Sequence, residues 1–136
     1  MTGIYEDFMQ LRPVMVIDDD QDIRECVADA LNNEGFGVYC AENGREALDQ
    51  LKGLREEELP GCIFLDMMMP VMAGPEFLEE IDLESGDVGR IPIVVTSANL
   101  EYASFSTKHV FRKIKKPFNL DQIFEEAHRF CDGPVP

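Results

Sequence analysis

The chain has 136 residues, 45% of them hydrophobic, enough for one domain with a sizeable core. Its 12 Lys and Arg stand against 27 Asp and Glu, a net charge of −15. That balance excludes the basic footprint of a nucleic-acid or anionic-membrane binder, and it favours cations and basic partner surfaces.

Ile4, Tyr5, Phe8 and Leu11 have helical spacing, so residues 1–12 read as an N-terminal arm or a short packed helix. The segment has no basic n-region and no apolar h-region, so it is not read as a signal peptide. No apolar run approaches the ~20 residues of a membrane span. The domain itself is expected over 13–131, with 132–136 as a tail.

Val14 to Ile17 is an all-apolar run, which predicts a strand buried on both faces; it ends in Asp18, Asp19 and Asp20. Ile23, Val27, Ala30 and Leu31 then recur at helical spacing, with Asp20 as N-cap and Gly35 as the stop. Phe36, Val38 and Cys40 alternate with Gly37 and Tyr39, which predicts a half-exposed edge strand. Asn43 and Glu46 have capping-box spacing ahead of a helix whose apolar face is Ala47, Leu48, Leu51 and Leu54.

Gly61 to Gly74 organises the rest: four apolar residues, Cys62 to Leu65, run into a single carboxylate, Asp66, followed by Met67, Met68, Met69 and Pro70. This is a third strand. Gly74-Pro75 opens a helix with Phe77, Leu78 and Ile81 facing inward. Ile91 to Val95 is a fourth strand and ends at Thr96-Ser97. Asn99 to Thr107 reads as a weak polar helix, and Val110 to Ile114 as a fifth strand leading to Lys115-Lys116-Pro117. Asn119 and Gln122 repeat the capping-box spacing before an apolar stripe of Ile123, Phe124, Ala127 and Phe130.

Five β-α repeats predict an α/β fold: a doubly wound parallel sheet of the flavodoxin-like (βα)5 kind, strand order 2-1-3-4-5. In that order the ends of strands 1, 3, 4 and 5 are neighbours. Asp18, Asp19, Asp66, Thr96 and Lys116 therefore converge on one edge. Clustered carboxylates repel one another, and a hard cation with oxygen ligands relieves this; Mg2+ fits best. A hydroxyl and an ammonium opposite it suit a phosphoryl group. The pattern reads as a Mg2+ site with one carboxylate nucleophile.

The four cysteines, Cys26, Cys40, Cys62 and Cys131, contain no C-x-x-C, and the chain has two histidines, so zinc is not expected. Cys26, Cys40 and Cys62 fall inside apolar patterns and read as packed free thiols in a reducing, cytoplasmic setting. The methionines Met67 to Met69 read as apolar packing, since thioethers prefer soft ions. His109 and His128 read as isolated surface or partly buried residues. Asp18-x-Asp20-x-Asp22 begins like an EF-hand loop, but Ile23 and Asp29 stand where Gly and Glu are needed.

Four motifs occur in order: V-I-D-D at residues 16–19, L-D-M-M-M-P at 65–70 with Gly74 beyond it, I-V-V-T-S at 93–97 and K-P-F at 116–118. On these, residues 13–131 resemble the receiver domain of two-component response regulators, of the chemotaxis-type single-domain kind. The resemblance implies that Asp66 is the phosphoacceptor. Asp19 would bind Mg2+ directly, Asp18 mainly through water, with Asp66 and the Met68 backbone carbonyl completing the set. Thr96 would bond a phosphoryl oxygen and Lys116 would pair with Asp66 or its phosphate, Lys115 being the neighbouring alternative. Pro117 commonly follows a cis peptide in this family.

The resemblance also implies that Met68 and Ala98 tune phosphate lifetime; neither side chain can position water, so slow self-dephosphorylation is expected. Lys113 stands where the family has a switch aromatic, and Ala73 where Asp is common before Gly74. The stretch before the fifth strand also departs from the family, so the face of the fourth helix, fifth strand and fifth helix is expected to be atypical. The implied partner is a sensor histidine kinase or histidine phosphotransfer domain, the signal passing by protein contact, without direct nucleic-acid or membrane binding, from a monomer or weak homodimer. A stand-alone receiver, or one from a longer chain, is expected, with no enzymatic activity beyond its own phosphorylation and dephosphorylation. The alternatives are a haloacid-dehalogenase-like Mg2+-dependent phosphatase, suggested by Asp18-x-Asp20 after a strand, and a pseudo-receiver used only for docking.

Overall fold

The computed structural model describes residues 11–69, 73–84, 86–98 and 110–132. Most of the expected arm, the Asn99–Thr107 helix, His109 and residues 133–136 of the tail lie outside the described residues. In chain order the elements are β1 (Val14–Ile17), α1 (Gln21–Asn33), β2 (Val38–Ala41), α2 (Gly44–Lys52), β3 (Cys62–Asp66), α3 (Gly74–Asp82), β4 (Ile93–Ser97), β5 (Val110–Lys115) and α4 (Leu120–Cys131). All four strand pairings are parallel, in the order β2-β1-β3-β4-β5. The strand order matches the sequence expectation.

The apolar runs are explained by what covers them. Side chains alternate across a strand. Met15, Ile17, Ile63, Leu65, Ile93 and Val95 face one layer, packed with Leu48 and Leu51 of α2 and Phe77, Leu78 and Ile81 of α3. Val14, Val16, Cys62, Phe64 and Val94 face the other, with Val27 and Leu31 of α1 and Ile123, Ala127 and Cys131 of α4. Every residue of β1, β3 and β4 is therefore buried. β2 and β5 are the edges and are partly exposed. A register shift between Ile93 and Val94 accompanies the β4–β5 pairing.

The local signals act as read. Asp20 caps α1 by accepting from Ile23 N at 3.1 Å. Asn119 and Gln122 form a reciprocal box at the start of α4, both bonds 3.1 Å. Asn43 accepts from Glu46 N at 2.8 Å, but the Glu46 carboxylate accepts from Gln50 instead of closing the box. Two readings are corrected. Ala28 is buried on α1, while Ala30 is only half-buried, because the buried stripe turns toward Val27 and Leu31. Cys26 and Cys40 are exposed, since each sits on the outward side of its element; only Cys62 and Cys131 are packed thiols.

Candidate functional site at the carboxyl edge of the sheet

Parallel strands deliver their last residues to one edge. Asp18 follows β1 directly, and Asp66 is the final residue of β3. Ile17 pairs with Leu65, and Asp66 with Thr96, so these ends are level. Asp18, Asp66 and Thr96 are buried, at 3%, 5% and 4% exposure. Asp19 is exposed.

Backbone geometry aims the carboxylates. Asp18 Oδ1 accepts from Asp20 N at 2.9 Å, which fixes the turn into α1. Asp66 Oδ1 accepts from Met68 N at 3.2 Å. Met67 N donates to Thr96 O at 3.3 Å, and Gly74 N to Met67 O at 3.2 Å, so the start of α3 closes over the Asp66 turn. A Cβ on Gly74 would lie 2.6 Å from Met67 Cα and 3.1 Å from Asp66 O. The close approach explains the glycine.

Lys116 enters from the β5–α4 connection. Its N–H donates to Ser97 O at 2.8 Å, and the following Lys116–Pro117 bond is cis. The ammonium lies 2.8 Å from Asp18 Oδ2 and 3.6 Å from Asp66 Oδ2. Lys116 thus contacts both carboxylates, the shorter contact being to Asp18.

One carboxylate oxygen from each of Asp18, Asp19 and Asp66 lies within 4.8 Å of the other two. Burial, followed by the charge of Asp18, raises the Asp66 pKa to about 7; Lys116 and the Met68 N–H act in the opposite direction, and a hydrogen bond with Asp19 adds to the rise. Burial works against the charge of Lys116, yet its hydrogen bonds and attractions to Asp18 and Asp66 win, and its pKa is raised. One ammonium therefore does not neutralise the three carboxylates. A hard divalent cation would, and the all-oxygen donor set suits it.

The remaining sequence-derived positions lie around this cluster. The Met68 side chain is 53% exposed, which leaves its backbone as the group nearest Asp66. Ala98 lines a mostly apolar cavity of about 500 Å³ with Ile23, Cys26, Lys116, Pro117 and Phe118. Lys113 is exposed on β5, opposite Val95. Lys115 is exposed, so Lys116 is the lysine of the site. Arg24 was not singled out from sequence: its Nη1 donates to Asp18 O at 2.7 Å. The available signal was a lone cation in the first turn of α1 amid Asp18, Asp19, Asp20, Asp22 and Glu25, where an acid is the favourable choice.

A doubly wound parallel sheet with an acidic trio, a buried threonine and a lysine at its carboxyl edge defines a domain built to hold a divalent cation and a phosphoryl group. Residues 14–128 match the family described as the response regulator receiver domain. Over 123 residues the chain is 35% identical to response regulator MprA of Mycolicibacterium vanbaalenii, covering 90% of this chain and 52% of that protein. It is 27% identical over 123 residues to sporulation initiation phosphotransferase F of Bacillus subtilis, covering 90% of this chain and 95% of that one. It thus spans about half of MprA and nearly all of the sporulation protein. Among solved structures, response regulator TrrA of Thermotoga maritima, in complex with Mg2+-BeF, is 28% identical with a TM-score of 0.74, over 88% of this chain and 98% of that one. Chemotaxis response regulator CheY4 of Vibrio cholerae is 28% identical with a TM-score of 0.73, over 89% of this chain and 99% of that one.

The chain belongs to the response regulator receiver domain family. It is a phosphoacceptor receiver domain of two-component signalling, with an acidic pocket at Asp18, Asp19 and Asp66 of the Mg2+-binding kind. The phosphatase and docking-only readings are not favoured. Among the described residues no helix is long and apolar enough to cross a membrane.

Proposed function

We propose that Asp66 accepts a phosphoryl group from a phosphohistidine on a sensor histidine kinase or phosphotransfer domain. Mg2+ would be held by Asp19 and Asp66, with Asp18 acting mainly through water and the Met68 carbonyl as the further protein ligand. The observation that supports this most is the convergence of three carboxylates within 4.8 Å around a strand-end Asp that Lys116 also reaches.

The cation supplies neutralisation of the carboxylates and of the phosphoryl oxygens. An Asp66 carboxylate oxygen attacks phosphorus in line; the N–P bond of the donor breaks as the O–P bond forms, and the imidazole leaves. Lys116, held between Asp18 and Asp66, is placed to follow the new negative charge onto the phosphoryl group. Thr96, level with Asp66 on the neighbouring strand, supplies the hydroxyl for a phosphoryl oxygen. The chain turns nothing else over; it acts in the cytoplasm and passes its state on by protein contact. Lys113, exposed on the edge strand, takes the place of an inward-swinging aromatic, so the change at Asp66 reaches the surface by another route.

Incubation with acetyl phosphate and Mg2+ followed by intact mass spectrometry tests this. A gain of one phosphoryl group, absent in Asp66→Asn, is the expected result. Multiple turnover of a generic phosphomonoester would instead support a phosphatase.

A further inference from the structure

Two thiols that the receiver chemistry does not use meet at the opposite end of the sheet from Asp66. Cys62 opens β3 and Cys131 closes α4. They are 69 positions apart, both fully buried, with their Sγ atoms 3.8 Å apart. Gly61 lies against the pair: a Cβ there would come within 2.8 Å of Cys131 Sγ, so the glycine leaves that sulfur its space. The carbonyl of Cys131 accepts from Arg12 N at 3.0 Å, which pins the helix end beside β1.

We propose that Cys62 and Cys131 form a reversible intramolecular disulfide on exposure to a small-molecule disulfide, stapling the end of α4 to the start of β3. The sulfurs have to close from 3.8 Å to a bond of about 2.05 Å. Side-chain rotation with a small shift of the last helical turn spans that gap. The order of reaction follows from the placement. Cys131 lies in the terminal turn of α4, next to exposed Asp132, and that turn can open without breaking the sheet. Cys62 lies in a central strand between β1 and β4. Its thiol pKa is raised by the hydrogen bond with Cys131 and by burial, which suits a second, resolving role.

The thiolate of Cys131 attacks one sulfur of the disulfide RSSR, forming a mixed disulfide and releasing one RS⁻. The thiolate of Cys62 then attacks the Cys131 sulfur and releases the second RS⁻. The two thiol protons end on two RSH, so two cysteines are oxidised as one RSSR is reduced. Because α4 follows directly from Lys116, Pro117 and Phe118, the staple fixes the far end of the helix that leads away from the phosphoryl-binding lysine.

The test uses Cys26→Ser/Cys40→Ser, which removes the two exposed thiols and leaves the buried pair. The protein is incubated with glutathione disulfide, alkylated, weighed intact and peptide-mapped, then melted with and without dithiothreitol. The expected result is the loss of two hydrogens, a Cys62–Cys131 cross-linked peptide, and a Tm rise of about 10 °C that dithiothreitol reverses. Three results overturn the proposal: both cysteines alkylated, and only after denaturation; a persistent glutathione adduct or an intermolecular link; or a Cys62–Cys131 link with no gain in Tm.

Discussion

Gly74→Ala places one methyl group where the site is tightest. The added Cβ would sit 2.5 Å from Met67 Sδ, 2.6 Å from Met67 Cα and 3.1 Å from Asp66 O. The thioether can swing away; the two backbone atoms cannot without moving the turn that carries Asp66. An ordinary contact begins near 3.4 Å, so the start of α3 has to retreat by several tenths of an ångström. Such overpacking costs about 1–3 kcal/mol. Replacing Gly by Ala at a compatible helical position returns up to ~1 kcal/mol. The net expectation is a destabilisation of about 1–2 kcal/mol, with weaker Mg2+ binding because the Met68 N–H to Asp66 bond shifts with the turn. Urea unfolding and a Mg2+ titration read the two effects. Gly37→Ala is the control: its Cβ would meet only Pro13 Cβ at 3.8 Å, an ordinary contact, so stability should stay within about 0.5 kcal/mol. A Gly74→Ala chain as stable as the parent, binding Mg2+ equally well, would refute the steric reasoning.

Three further outcomes follow from local geometry. His128 bridges Asp132 Oδ1 at 2.8 Å and Glu34 Oε2 at 3.3 Å; the Asp132 bond chiefly raises its pKa, against burial, and Glu34 adds to the rise. A folded pKa above the unfolded ~6.5 means this contribution is full below pH ~6.5 and lost as pH rises through the folded value. Solvent screening limits it to roughly 0.5 kcal/mol. The Tm gap between the parent and His128→Gln should therefore close on going to alkaline pH, and a gap that widens would contradict the assignment. Asn119→Ala removes one half of the α4 capping box and should cost about 1 kcal/mol in urea unfolding. Phosphorylated protein freed of excess acetyl phosphate should lose its phosphoryl group over minutes or longer, since the exposed Met68 side chain and Ala98 offer no acid or base to position water; decay within seconds, read by intact mass, would contradict this.

The strands were readable because helices cover both faces of β1, β3 and β4, which forces uninterrupted apolar runs. Once strand order followed from the β-α alternation, Asp18, Asp66 and Thr96 had to be neighbours, since each stands at a strand end. Caps such as Asp20 and Asn119 were readable because the bond spans three residues. What stayed hidden depends on direction and reach. Lys116 and Asp18 are 98 positions apart, and no pattern tells that the ammonium settles closer to Asp18 than to Asp66. Arg24 stands out as a lone cation among acids, but its partner is a backbone carbonyl, which side-chain spacing does not identify. Cys26 and Cys40 have apolar neighbours in sequence but face outward, and apolar context alone does not give the side of a helix or an edge strand.

The central claim is that the phosphoryl group goes to Asp66 and not to the other carboxylates within 4.8 Å of it. Borohydride reduces an acyl phosphate of Asp to homoserine, so trapping after acetyl phosphate and Mg2+ marks the acceptor permanently. Peptide mass spectrometry should find homoserine at position 66 and unmodified Asp at positions 18 and 19. Homoserine at 18 or 19, or none anywhere in a chain that retains its fold, would contradict the account.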